Sequence, residues 1–146
     1  MKRLLYGHDK EVAAWVAERL PHVDDFGPCA AIGVVEDDEL IGGIVYHDYL
    51  PTFATMQASI ATTTPRWVSR GILYGILAYP FVQLRLRRLT ALTGHRNGRA
   101  IRFLTGIGFK REGTMRAAFG DQHAAVFGLL RQDVPRWIGL DLKKVA

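Results

Sequence analysis

Apolar and polar positions alternate along this chain with two distinct periods. Between Asp9 and Pro21, the residues Val12, Trp15, Val16 and Leu20 recur three and four apart, which predicts a helix capped by Asp9 and stopped by Pro21. Val68, Ile72 and Ile76, with Leu73, Leu77, Phe81 and Leu84, predict a longer helix over 67–84. Pro80 falls inside it and has no N–H for the Ile76 carbonyl, so a kink or break is expected there. Ala100, Ile101, Leu104 and Ile107 mark a third helix, opened by Asn97 and left through Gly106 and Gly108. Elsewhere the pattern is that of strands, over 4–6, 29–35, 40–46, 56–62, 88–93, 110–119 and 123–130, with 22–28 a loop. In 56–62, Met56, Ala58 and Ile60 alternate with Gln57, Ser59 and Ala61.

The order of these elements implies an architecture. Helix 67–84 is a crossover, so strands 56–62 and 88–93 should be parallel neighbours in an otherwise mostly antiparallel sheet. The expected fold class is α/β (α+β), with a mixed sheet of about seven strands and flanking helices in one domain over 1–146. Such a sheet opens a cleft at the carboxyl ends of its parallel strands, beside a helix N-terminus, where a phosphate-bearing ligand can sit.

Composition narrows the class. The chain has 146 residues, 49% of them hydrophobic and 23% charged, the balance of a globular domain. No apolar run approaches the ~20 residues of a membrane span. The N-terminus reaches charge and glycine too early for a signal peptide, and a single cysteine, Cys29, precludes an internal disulfide; both point to the cytoplasm. The acidic turn at 36–39 reads as an exposed connection, and no metal site is expected. The net charge of +5 is carried by arginines, among them Arg66, Arg70, Arg96, Arg99 and Arg102, whose forks suit phosphate.

The segment from Asn97 to Gly113 carries Ala100 three residues after the asparagine, then Gly108-Phe109 leading into Glu112-Gly113. This resembles the late motif of the GCN5-related N-acetyltransferases. Tyr79-Pro80-Phe81 and the late Trp137 are similar to the branch that holds ribosomal-protein N-terminal acetyltransferases and prophage-encoded members. The resemblance implies acyl transfer, in the first place acetyl transfer, from acetyl-coenzyme A to a primary amine. The acceptor stays open among a protein N-terminus, a lysine, a small amine and a base. Two departures stand out. In the family's Gln/Arg-x-x-Gly-x-Gly/Ala loop, Val68 takes the leading position and Leu73 the last, around Gly71; and Leu104 occupies the place of a tyrosine acid.

The resemblance assigns coenzyme A to Arg66, Val68, Ser69, Arg70 and Gly71, to Asn97 and Arg102, and to backbone groups near Ser59, Ile60 and Ala61. Asn97, His95 and Ser59 are the catalytic candidates. For the base that takes the amine proton, His47, Asp48, Ser59, His95 and His123 all come into question. Two other classes remain: a nucleic-acid-binding or base-modifying protein, which the arginines favour, and an inactive interaction module. An open sheet edge and Trp137 suggest a homodimer.

Overall fold

A computed structural model of the chain describes residues 1–21 and 23–142, so His22 of the predicted loop lies outside the described residues. Strand β1 (Lys2–Leu5) leads into helix α1 (Asp9–Arg19). Strands β2 (Cys29–Glu36), β3 (Glu39–Leu50) and β4 (Thr55–Thr62) follow as a meander, and helix α2 (Arg70–Ala78) crosses over to β5 (Arg88–Gly94). Helix α3 (Gly98–Gly106) and the hairpin β6 (Lys110–Phe119) and β7 (Gln122–Leu130) complete the order. The sheet runs β1-β2-β3-β4-β5-β7-β6, and β4 with β5 is its parallel pair, as the crossover requires.

Helices cover both faces. On one, Val12 and Val16 of α1 bury against Val45 of β3 and Ala61 of β4. On the other, Ile76 and Leu77 of α2 and Leu104 of α3 pack on Ile44, Ala58 and Phe127. Sequence alternation along β4 therefore serves two cores, with Ala58 and Ile60 on the α2 side and Ser59 and Ala61 on the α1 side.

Two local expectations are corrected. Asp9 does not cap α1: its carboxylate accepts the Ala31 N–H at 3.0 Å and ties the helix start to β2, while His8 holds the cap position. Helix α2 starts at Arg70 instead of residue 67. Ser69 is its cap, its hydroxyl accepting the Ile72 N–H at 3.3 Å, and Trp67 is spent on the core, where it lies against Gly42. Near the C-terminus, Ile138 is the buried residue of the last turn, and Trp137 is 51% exposed.

Pro80 breaks α2 in a specific way. The chain widens into a π turn over Tyr79–Gln83, and the Ile76 carbonyl, to which Pro80 has no N–H to give, accepts the Tyr46 hydroxyl at 2.6 Å. Burial, with lesser contributions from Tyr6 and Tyr79, raises the Tyr46 phenol well above its ordinary range, so it stays a donor. Tyr46→Phe should cost about 1–3 kcal/mol in urea unfolding, the penalty of an orphaned buried carbonyl. The same change made on Pro80→Ala should cost clearly less, because an alanine N–H can serve Ile76.

Candidate active site

Strands β4 and β5 pair only from Thr55↔Arg88 to Ala58↔Ala91, and beyond that point they splay. The Thr63 N–H bonds the Ile41 carbonyl, continuing the β3–β4 register. By alternation, the amides of Ser59 and Ala61 turn toward β3, and that of Ile60 turns toward β5, into the gap. Likewise the His95 N–H bonds the His123 carbonyl in the β5–β7 register, so Leu92 turns its backbone polar groups into the same gap. The gap opens into a cleft of about 1380 Å³. Trp67 and Phe103, with ring centroids 5.3 Å apart, form its apolar wall.

Helix α3 points its N-terminus at this cleft. Asn97 caps it, its side-chain oxygen accepting the Ala100 N–H at 3.2 Å, which leaves the NH2 end of the amide for other partners. Arg96, Arg99 and Arg102 line the cleft around the same helix end, and none of them takes part in an ion pair among the described residues. The Arg102 guanidinium folds back over Gly98, 3.2 Å from where a Cβ would sit. Cationic side chains beside a helix N-terminus repel its positive end, so an anion is the missing complement.

The predicted residues divide. Ser59, Ile60, Ala61, Asn97 and Arg102 lie on the cleft wall. Arg66, Val68, Ser69, Arg70 and Gly71 are not among its lining residues. Arg70 gives its Nε–H to the Trp137 carbonyl at 2.7 Å, and Val68 packs on the core. The site of a Gly71 Cβ is open, with nothing within 4 Å, and Leu73 points into the core away from it, so neither departure of that loop blocks the α2 N-terminus. His95 turns away from the cleft: its Nδ1–H donates to the His123 carbonyl at 3.0 Å. His123 in turn accepts the Ala117 N–H on Nδ1 at 2.9 Å, steadying a bulge where Ala117 has a φ of +54°. Leu104 is 3% exposed, and the cleft-lining residues include no tyrosine. Burial, then the nearby Asp9 and Asp25 charges, push the Cys29 thiol up, which keeps it an inert thiol.

No protein-family model matches the chain, and neither does any curated protein. Solved structures do match. A mutant form of the spermidine/spermine N-acetyltransferase SpeG from Vibrio cholerae aligns with a TM-score of 0.73 over 90% of this chain and 96% of its own, at 14% identity. The chain has the GCN5-related N-acetyltransferase fold. A structure from T. thermophilus, described as an acetyltransferase, shares this N-acetyltransferase fold at a TM-score of 0.71 and 19% identity, over 90% of this chain and 87% of its own. The ribosomal-protein-S5-alanine acetyltransferase from Vibrio fischeri shares it at 0.64 and 16%, over 73% and 64%. Within the N-acetyltransferase fold, sequence reasoning missed Arg96 and Arg99 as cleft residues, although Arg99 and Arg102 stand one helical turn apart. It also left His47 and Asp48 unconnected to Ser59, a link that only strand register makes.

Proposed function

We propose that this protein transfers an acyl group, acetyl in the first instance, from acyl-coenzyme A to a primary amine by direct attack. The observation that carries this reading is the splay of β4 from β5, which turns the Ile60 amide into a cleft flanked by Arg96, Arg99 and Arg102. Coenzyme A supplies an activated thioester and a phosphate-bearing handle. The arginines and the α3 N-terminus would hold phosphate, with the open α2 N-terminus at Ser69 and Gly71 as a second seat. Trp67 and Phe103 give the chain between phosphates and thioester an apolar wall. The Ile60 N–H is placed to donate to the carbonyl oxygen as charge develops on it. A thiolate is a good leaving group, so a buried Leu104 where an acid might stand is compatible with turnover.

An amine acceptor accords with the names of two fold neighbours, a spermidine/spermine and an alanine acetyltransferase. No helix among the described residues is long and apolar enough to cross a membrane, and a cytoplasmic location goes with the donor proposed.

The test is calorimetric titration with acetyl-coenzyme A, followed by thiol release in the presence of spermidine. Saturable micromolar binding is expected, and no binding would refute the reading. Asn97→Ser keeps a capping oxygen and removes the NH2 donor. It should lower kcat/KM about tenfold, the worth of one hydrogen bond to a charged or charging group, with Tm unchanged. Unaltered kinetics would remove Asn97 from the site.

A further inference from the structure

One connected set of side chains reaches from the cleft to solvent. Ser59 lies on the cleft wall, next in sequence to Ile60, with its side chain on the α1 face of the sheet. Its Oγ is 2.8 Å from His47 Nε2, and His47 Nδ1 is 2.6 Å from Asp48 Oδ2. Register explains the first contact: Val45 pairs with Ser59 and Gln57 with His47, so His47 and Ser59 are diagonal neighbours on one face. The second contact needs an irregularity, since consecutive strand residues point to opposite faces. The β3–β4 register shifts between His47 and Leu50, and Asp48 takes a φ of +54°, which brings its carboxylate round to the imidazole. Phe26 covers the His47 ring at 5.2 Å, leaving that side chain 13% exposed, whereas Asp48 is 63% exposed.

With a neutral His47, the contacts fix which ring nitrogen carries the hydrogen. A carboxylate only accepts, so Nδ1 of the neutral imidazole carries the hydrogen and Nε2 accepts the Ser59 hydroxyl hydrogen. The Ser59 oxygen then has lone pairs left for a donor in the cleft. An alkylamine reaches an enzyme as an ammonium and cannot attack until it has lost a proton.

We propose that Ser59, with His47 and Asp48 acting through it, deprotonates a primary alkylammonium acceptor in this cleft. The proposal rests on the acyl-transfer reading and adds to it the acceptor's charge state and the route of its proton. The ammonium N–H proton passes to Ser59 Oγ as the Ser59 hydroxyl proton passes to His47 Nε2, giving a neutral amine and an imidazolium held by Asp48. The amine nitrogen bonds the thioester carbon, the C–S bond breaks, and the departing thiolate takes the nitrogen's surplus proton. After the product leaves, the Nε2 proton returns through Ser59 to water in the cleft, and Nδ1 keeps its hydrogen toward Asp48. Among the described residues, the charged and titratable groups around His47 are Asp48 beside it, Cys29 directly across from it on β2, and Asp25 and Asp9, whose charges reach Cys29. Asp9 is held by the Ala31 N–H, and the Cys29 thiol is pushed up, so neither supplies a competing base.

The experiment compares two acceptors that differ in whether they arrive protonated, spermidine and hydroxylamine, with acetyl-coenzyme A as donor. Hydroxylamine is already neutral near pH 7 and does not need the relay. His47→Asn should lower kcat/KM for spermidine about 100-fold or more and for hydroxylamine less than about threefold. The acid limb of the spermidine pH profile should vanish with it. Asp48→Asn, at an exposed position that tolerates the change, should shift the spermidine rate in the same direction and to a lesser extent. Equal losses for both acceptors, no loss for either, or a wild-type protein that uses hydroxylamine and no alkylamine would overturn the relay. So would an acetyl group found covalently on Ser59, which would make Ser59 a nucleophile instead. Acetyl-coenzyme A binding measured on the same variants separates this from the acyl-transfer reading: absence of binding in the wild type defeats that reading itself.

Discussion

Arg99→Ala combined with Arg102→Ala should raise the dissociation constant for coenzyme A about 100-fold, or about 3 kcal/mol, at low ionic strength. Both guanidinium groups line the cleft at the N-terminal end of α3, where the helix itself carries partial positive charge. Neither has a carboxylate partner among the described residues, so the cost of gathering these charges is not offset within the protein. Arginine contacts to phosphate are charge-assisted and often paired, which makes each worth more than a neutral hydrogen bond. Wild-type affinity should fall with added salt, and the double variant should respond less. Arg70→Ala makes the contrast. Its guanidinium holds the Trp137 carbonyl and lies over Gly139, so its loss should lower Tm and leave the dissociation constant within about threefold. The reverse outcome, a large affinity loss at Arg70 with none at Arg99 and Arg102, would move the phosphate seat to the α2 N-terminus.

Gly108→Ala should destabilise the fold by about 3 kcal/mol or more, a Tm decrease of roughly 10 °C. Gly108 closes α3 with a φ of +108°, a conformation L side chains rarely adopt. An added Cβ would also stand 2.7 Å from the Asp133 carbonyl oxygen and 3.0 Å from Pro135 Cδ, and neither is the end of a flexible side chain. Gly106 is the control. It lies within α3 with nothing within 4 Å of an added Cβ, so Gly106→Ala should be neutral or should stabilise by up to about 1 kcal/mol. Thermal unfolding of the two variants decides the matter, and similar Tm values would show that the turn tolerates a side chain. The turn bears on the site because Phe109 follows it into the core and anchors α3 at the end opposite Asn97.

Element type and order were legible because they rest on short-range pattern. Helical spacing in 9–20 and 98–106, alternation in 56–62 and the crossover between two apolar strands are properties of consecutive residues. From them the mixed sheet and its parallel centre follow by handedness and connection length. Asn97 as a helix cap and Gly108 as an exit turn were legible for the same reason, since each acts on backbone within four residues of itself. Asp9 and residues 67–69 were misread because the partner that decided them is remote. Asp9 is claimed by Ala31, and Trp67 by the pocket beside Gly42, contacts that no window of local sequence contains.

The site divides along the same line. Sequence spacing carried the resemblance that named Asn97, Arg102 and the Ser59–Ala61 stretch, and it left Arg99, one helical turn from Arg102, unassigned. Which amide of that stretch enters the gap was decided by the β3–β4 register, which turns Ile60 inward and Ser59 and Ala61 toward β3. His95, two residues before Asn97 in sequence, was carried off to the His123 carbonyl by the β5–β7 register. His47, twelve residues from Ser59, was brought to it by strand pairing, and Asp48 reached His47 only because one irregularity in β3 breaks the alternation of its side chains. Local pattern determined what each segment is. Which side chains meet was decided by register and bulges, because a shift of one residue in a strand exchanges its two faces.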